Sequence, residues 1–186
     1  SNVGHGGNYF FVYNTGKGTT ATISYSNCEF PNGVCVARCD ASFENCTFEN
    51  VCGEYAIWMY GDATCDVKNS AVNSAKAVKL YSEGISGMAS PSDVPNVLSI
   101  EKTAFTGISG NEVIGLTVAK SITLKDNTYP EGKAIIGMDN TTDSMSSGTV
   151  VDSDVTLTCK VYERNSSGQK TYTDGGVISD GKLYKD

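Results

Sequence analysis

An eight-residue frame recurs five times along the chain, and such a repeat restricts the fold to architectures built by stacking like units. Ile23–Phe30 reads ISYSNCEF and Ala41–Phe48 reads ASFENCTF; Cys65–Val72, Leu98–Phe105 and Ile122–Tyr129 follow the same pattern. Successive copies begin 18, 24, 33 and 24 residues apart. A constant frame at uneven intervals describes a solenoid whose strands keep register while its loops vary in length.

Two positions of the frame are apolar in every copy: Ile23, Ala41, Cys65, Leu98, Ile122 and then Tyr25, Phe43, Val67, Ile100, Leu124. A polar residue separates them each time, which is the period-two pattern of a strand with one buried face. A bend residue follows, in the order Asn27, Asn45, Asn69, Lys102, Asp126. Asn tolerates positive φ and hydrogen-bonds with its side chain, so Asn27, Asn45 and Asn69 are expected to stack as a corner ladder that Lys102 interrupts. Past the bend, Phe30, Phe48, Val72, Phe105 and Tyr129 hold one equivalent inward site, a predicted core column with one side chain per layer. Each copy then carries a second apolar segment: Val34–Ala37, Ala56–Tyr60, Ala77–Leu80, Val113–Leu116 and Ala134–Met138. On the outward side, Ser26, Glu44, Lys68, Glu101 and Lys125 alternate in sign along the axis, a weak but consistent preference for in-register stacking.

Short strands without helical periodicity argue against a βαβ fold, and the lack of hairpin signals between copies argues against a sandwich. The sequence therefore predicts an all-β chain with about five stacked coils. The alternating strand followed by an N-C-x-F corner resembles the right-handed parallel β-helices of the pectin-lyase-like superfamily. The likeness is nearest to non-catalytic versions in large secreted or cell-surface proteins of gut bacteria, and it spans about residues 20–138. It implies a single-stranded right-handed parallel β-helix over 21–138, with 1–20 as an N-terminal cap or incomplete coil. Residues 139–186 are expected to form a loop and a C-terminal β cap, because a solenoid must cover the apolar edge of its last coil.

The net charge of −7 makes phosphate backbones and anionic lipid poor partners, so no nucleic-acid binding and no direct membrane insertion are expected. No apolar run reaches the ~18 residues of a membrane helix. Ser1-Asn2 reads as a scar of expression rather than a natural start, so the lack of a targeting segment does not argue for the cytoplasm. Seven cysteines, six of them between Cys28 and Cys65, cannot all pair internally. Their spacings do not match zinc ribbons or fingers, and the single histidine, His5, lies in a glycine-rich stretch. Cys28 and Cys46 are read as small buried hydrophobes, and no cofactor or metal is expected.

The superfamily contains lyases and hydrolases as well as binding proteins, so the fold leaves the function open. Its lyases need carboxylates for calcium and an Arg or Lys as base; its hydrolases need clustered Asp. Here Glu44, Asp66 and Glu101 share an outward wall but are interleaved with Lys68 and Lys125, a pattern suited to charge neutralisation. The sequence thus points to an extracellular domain, secreted or on the cell surface, that binds carbohydrate or protein without catalysis. A lyase or glycoside hydrolase, and a structural spacer, are the alternatives. The candidate binding surface is Trp58 and Tyr60 pointing outward together, with Glu54 and Asp62 beside them and Tyr81 one coil on. The opposite strand phase, with Ala56, Trp58 and Tyr60 buried, is the competing reading. A glycan or a host or cell-surface protein is the expected partner; the oligomeric state is open.

Overall fold

The structure is a computed structural model that describes residues 9–13, 21–60, 63–80, 96–110, 112–116, 119, 121–139, 149–153, 159–164, 170–174, 176–179 and 182–185. Every regular element among them is a β-strand. The strands form three walls. A frame wall stacks Thr22–Ser26, Asp40–Glu44, Thr64–Lys68, Val97–Glu101, Ser121–Lys125 and Thr149–Ser153, all parallel. A corner wall stacks Glu29–Phe30, Thr47–Glu49, Ala71–Asn73 and Ala104–Thr106, and a parallel bridge from Ala104 to Thr128 extends it. A long wall stacks Phe10–Tyr13, Val34–Ala37, Tyr55–Met59, Lys76–Leu80, Glu112–Leu116, Ala134–Asp139 and Cys159–Arg164. Each copy of the frame visits the frame, corner and long walls in turn and returns one layer on. That arrangement of parallel sheets fits a parallel β-helix.

The parallel stacking does not stop at residue 138. Thr149–Ser153 and Cys159–Arg164 add one further strand to the frame and long walls. Among the described residues, antiparallel strand pairs follow them, with Lys170–Asp174 on Cys159–Arg164 and Lys182–Lys185 between Thr149–Ser153 and Gly176–Ser179.

Register follows the alternation of the sequence. Ile23, Ala41, Cys65, Leu98 and Ile122 are successive partners, and so are Tyr25, Phe43, Val67, Ile100 and Leu124. A slip of one residue would turn each of these sets outward, so burying one face fixes the pairing. Phe30, Phe48, Val72 and Phe105 are register partners along the corner wall. Phe30 and Phe48 stack with centroids 5.3 Å apart and planes 13° off parallel; Phe105 and Tyr129 stack at 5.4 Å and 6°. Rings one strand spacing apart keep nearly parallel planes because the backbone beneath them repeats without shift.

The corners depend on left-handed backbone. Asn27, Asn45, Asn69, Lys102 and Asp126 have φ between 49° and 56°. That region costs an L-residue roughly 1–2 kcal/mol, least for Asn and Asp, so Lys102 carries the largest local penalty of the five. The side-chain ladder is shorter than expected: Asn45 Nδ2 donates to Asn27 Oδ1, but Asn69 Nδ2 turns to Glu44 Oε1 at 3.5 Å. The carboxylate one residue before Asn45 is the stronger acceptor and captures the amide. Backbone bonds carry the corner instead, with the amides of Asn27, Asn45, Asn69 and Lys102 each donating to the carbonyl before the next bend.

The residue after each bend does a second job. Cys28, Cys46, Ser70 and Thr103 all donate from the side chain to the carbonyl two residues back. Cys46 is buried, as the sequence suggests, but Cys28 is only half-buried. Both thiols therefore act as weak polar caps of the corner rather than as simple hydrophobes.

Candidate functional site

The long wall carries the aromatic surface. In Tyr55–Met59, Ile57 and Met59 are fully buried whereas Tyr55 and Trp58 are half-buried, as is Tyr60 beyond the strand end. Ile57 and Met59 thus face inward, while Trp58 and Tyr60 lie half-buried on the opposite face of the wall, beside the buried Ala56 and Cys35. Residues two apart on a strand lie on one face, and the rings of Trp58 and Tyr60 stack at 5.2 Å and 15°. Tyr55 meets Trp58 edge-on at 5.9 Å, and Tyr9 does so at 5.7 Å. Tyr9 in turn approaches Phe11, which is 41% exposed, so the aromatic cluster reaches the first strand of the wall. Burial, reinforced by the nearby Glu54 carboxylate, pushes the Tyr9 phenol well above its ordinary range and keeps it neutral.

Charge frames one side of the cluster. Glu54 lies 3.9 Å from Lys76, whose ammonium sits 5.6 Å from the centroid of the Tyr55 ring. Both partners are substantially exposed, so the pair orients side chains more than it stabilises the fold. Toward the next layers, Trp58 is followed in register by Lys79, Gly115 and Gly137. The two glycines leave room for long side chains lying flat on the wall. A Cβ on Gly115 would stand 3.1 Å from the Lys79 stem, and one on Gly137 would stand 2.8 Å from Glu112 Cγ.

Of the residues singled out from sequence, Trp58, Tyr60 and Glu54 belong to this outer region, while Asp62 and Tyr81 lie outside the described residues, as does His5. Tyr9 and Tyr55 were not among the candidates. Tyr55 stands one position before the apolar segment that the pattern picked out, and Tyr9 joins only through pairing of its strand with Val34–Ala37. The aromatic run Tyr9–Phe11 was the available signal.

Glu101, and through register Glu44, meet cations on the outward side of the frame wall. Glu44 and Lys68 are register neighbours, Lys68 lies 4.0 Å from Glu101, and Lys102 lies 3.5 Å from the same carboxylate. Asp66 is flanked in register by Ser42 and Ser99. Among the described residues no three His, Cys, Asp or Glu side chains gather in a metal-binding group. A concavity of about 270 Å³ lies along the corner wall, lined in part by Glu49, Asn73, Ser74 and Gly107. Asn73 Oδ1 accepts from Thr106 Oγ1 at 3.2 Å and Asn73 Nδ2 donates to Glu49 Oε1 at 3.3 Å, while the Ser74 hydroxyl is buried without a partner among the described residues.

The aromatic cluster combines the half-buried rings of Tyr55, Trp58 and Tyr60 with the Glu54 carboxylate. Such a surface can stack on the apolar face of a sugar ring and hydrogen-bond its rim, or take up an aliphatic protein side chain. No family model, no curated protein and no solved structure matches the chain.

Proposed function

We propose that this chain is a right-handed parallel β-helix of the pectin-lyase-like kind, closed by a C-terminal β cap. In this reading it serves as a non-catalytic binding domain of a secreted or cell-surface bacterial protein. Its ligand class is carbohydrate, held on the long wall by Trp58 and Tyr60 with Tyr55 and Glu54 beside them. One observation carries the reading: the only tryptophan lies half-buried on the long wall and stacks on Tyr60 within a continuous aromatic cluster. Rings held rigidly by neighbours lose little entropy on contact, which favours their use as a recognition surface. The ion pairs of Glu101 with Lys68 and Lys102 disfavour the hydrolase or lyase alternative at the frame wall, because they interleave cations with the carboxylates that such a site would need to cluster.

Glycan-array screening followed by calorimetry tests this. Trp58→Ala and Tyr60→Ala should each weaken the bound glycan about tenfold, while Trp58→Phe should retain most of the affinity. Unchanged affinity in both alanine variants, with unchanged circular dichroism, would remove the surface from consideration. Calcium-dependent release of unsaturated or reducing sugars would favour the enzyme, and binding of a protein but no glycan would redirect the ligand class.

A further inference from the structure

The first two layers of the solenoid place two thiols directly over one another. From Thr22 to Ser26 the frame strands pair with a constant offset of 18, as Thr22↔Asp40 through Ser26↔Glu44, and the corner strands resume at the same offset with Glu29↔Thr47 and Phe30↔Phe48. Backbone bonds carry the offset through the bend itself: Asn27 N donates to Glu44 O at 3.0 Å and Thr47 N to Cys28 O at 2.9 Å. In a parallel ladder those two bonds make Asn27 the partner of Asn45 and Cys28 the partner of Cys46. The side chains turn the same way as well. Cys28 Sγ donates to Ser26 O at 3.3 Å and Cys46 Sγ to Glu44 O at 3.4 Å, and Cys46 Sγ also lies 3.8 Å from Tyr25 O in the layer beneath.

We infer that Cys28 and Cys46 are a dithiol that closes to a disulfide across the first two coils when the protein meets a disulfide oxidant. In-register strands lie about 4.8 Å apart, within the ~4.4–6.8 Å span between the Cα atoms of bridged cysteines. Drawing the Cβ atoms to their usual ~3.8 Å needs a shift of about an ångström. Thr22–Ser26 and Glu29–Phe30 supply it, because among the described strands they are the edge strands of their walls. Cys28, half-buried, is the thiol that solvent reaches; Cys46, 2% exposed, is shielded. The Cys28 thiolate attacks one sulfur of the oxidant and releases the other half as a thiol, leaving a mixed disulfide on Cys28. Cys46 then loses its proton and attacks the Cys28 sulfur, expelling the second thiol. Two protein thiols and one small disulfide thus become one intrachain disulfide and two small thiols. The bridge ties the least-covered coil to the next and closes a loop spanning 18 positions.

Incubating the full chain with oxidised glutathione, followed by intact mass and non-reducing peptide mapping, tests the pair. The expected product is a Cys28–Cys46 crosslinked peptide with a net loss of two hydrogens, and a midpoint of thermal unfolding about 5–10 °C above that of the reduced chain. Cys46→Ser should instead trap glutathione on Cys28 as a stable mixed disulfide. Serine suits the site, since Ser70 occupies the equivalent corner in the next layer. Recovery of Cys28 and Cys46 as unlinked thiols or separate glutathione adducts, or crosslinks joining either to another cysteine, would overturn the inference. A crosslink that lowers the midpoint would contradict its stabilising role.

Discussion

Phe48 is the side chain through which the corner column can be interrogated most sharply. It is fully buried, stacks on Phe30 at 5.3 Å and 13°, and meets Phe43 edge-on at 5.3 Å. Phe48→Ala removes a whole ring from a site closed above by Val72 and below by Phe30, and the parallel backbones on either side prevent collapse. The cost should lie near the middle of the range for buried phenylalanine, about 4 kcal/mol. For a chain of this size that lowers the unfolding midpoint by roughly 8–16 °C. The column makes a finer prediction through double-mutant cycles read by urea denaturation. Phe30→Ala and Phe48→Ala remove one shared contact, so together they should cost about 1 kcal/mol less than the sum of the singles. Phe48 and Phe105 are separated by the Val72 layer, and their costs should add within about 0.5 kcal/mol. Strict additivity for the first pair, or clear coupling for the second, would mean that the rings do not stand in the order described.

Other outcomes follow from the corners and the buried acids. Lys102 has φ of 49°, where three other copies of the frame place Asn and one Asp, so Lys102→Asn should raise stability by roughly 0.5 kcal/mol despite losing the exposed contact with Glu101; a loss of stability in the same urea assay would refute the backbone argument. Gly33 has φ of 70° and an added Cβ would stand 2.5 Å from Ala56 O, so Gly33→Ala should destabilise by at least about 2 kcal/mol, and a neutral result would show that this turn is built differently. Burial pushes the Cys35 thiol up to about 12 from its ordinary 9.0, and burial also raises Cys39, Cys46 and Cys65. These acids stay protonated in the folded chain while the unfolded chain ionises near pH 9, so the unfolded state binds fewer protons above that point. Stability of the reduced protein should therefore be level below about pH 8.5 and fall steadily from pH 9 toward 12; a level profile across that window would contradict it.

The strand frame was legible because its signal is local and repeated. Period-two alternation specifies which side chains face inward, and the bend residue specifies where each strand stops, so register partners are readable without knowing what lies between copies. The limits of the reading have physical causes as well. Asn27, Asn45 and Asn69 look equivalent in sequence, but a neighbouring carboxylate, Glu44, outcompetes an amide as acceptor and diverts Asn69. The orientation of Trp58 was undecided because Ala56, Ile57, Trp58, Met59 and Tyr60 are apolar on both phases; Ala56, Ile57 and Met59 are all fully buried. Alternation fails as a signal on the long wall, where Val34–Ala37 is buried on both faces and Lys79 lies buried beside Gly115. Tyr9 entered the aromatic cluster through long-range pairing that no local pattern encodes.

Distances between nitroxide pairs on the outward face of the frame wall test the in-register stack most directly. Ser24, Ser42, Asp66, Ser99 and Thr123 are successive partners, so labels at Ser24 and Ser99 should be separated by about 14 Å, and labels at Ser24 and Thr123 by about 19 Å. One strand spacing per layer, rising in that order, is the result this architecture requires. Equal separations, or a shorter distance to Thr123 than to Ser99, would contradict it.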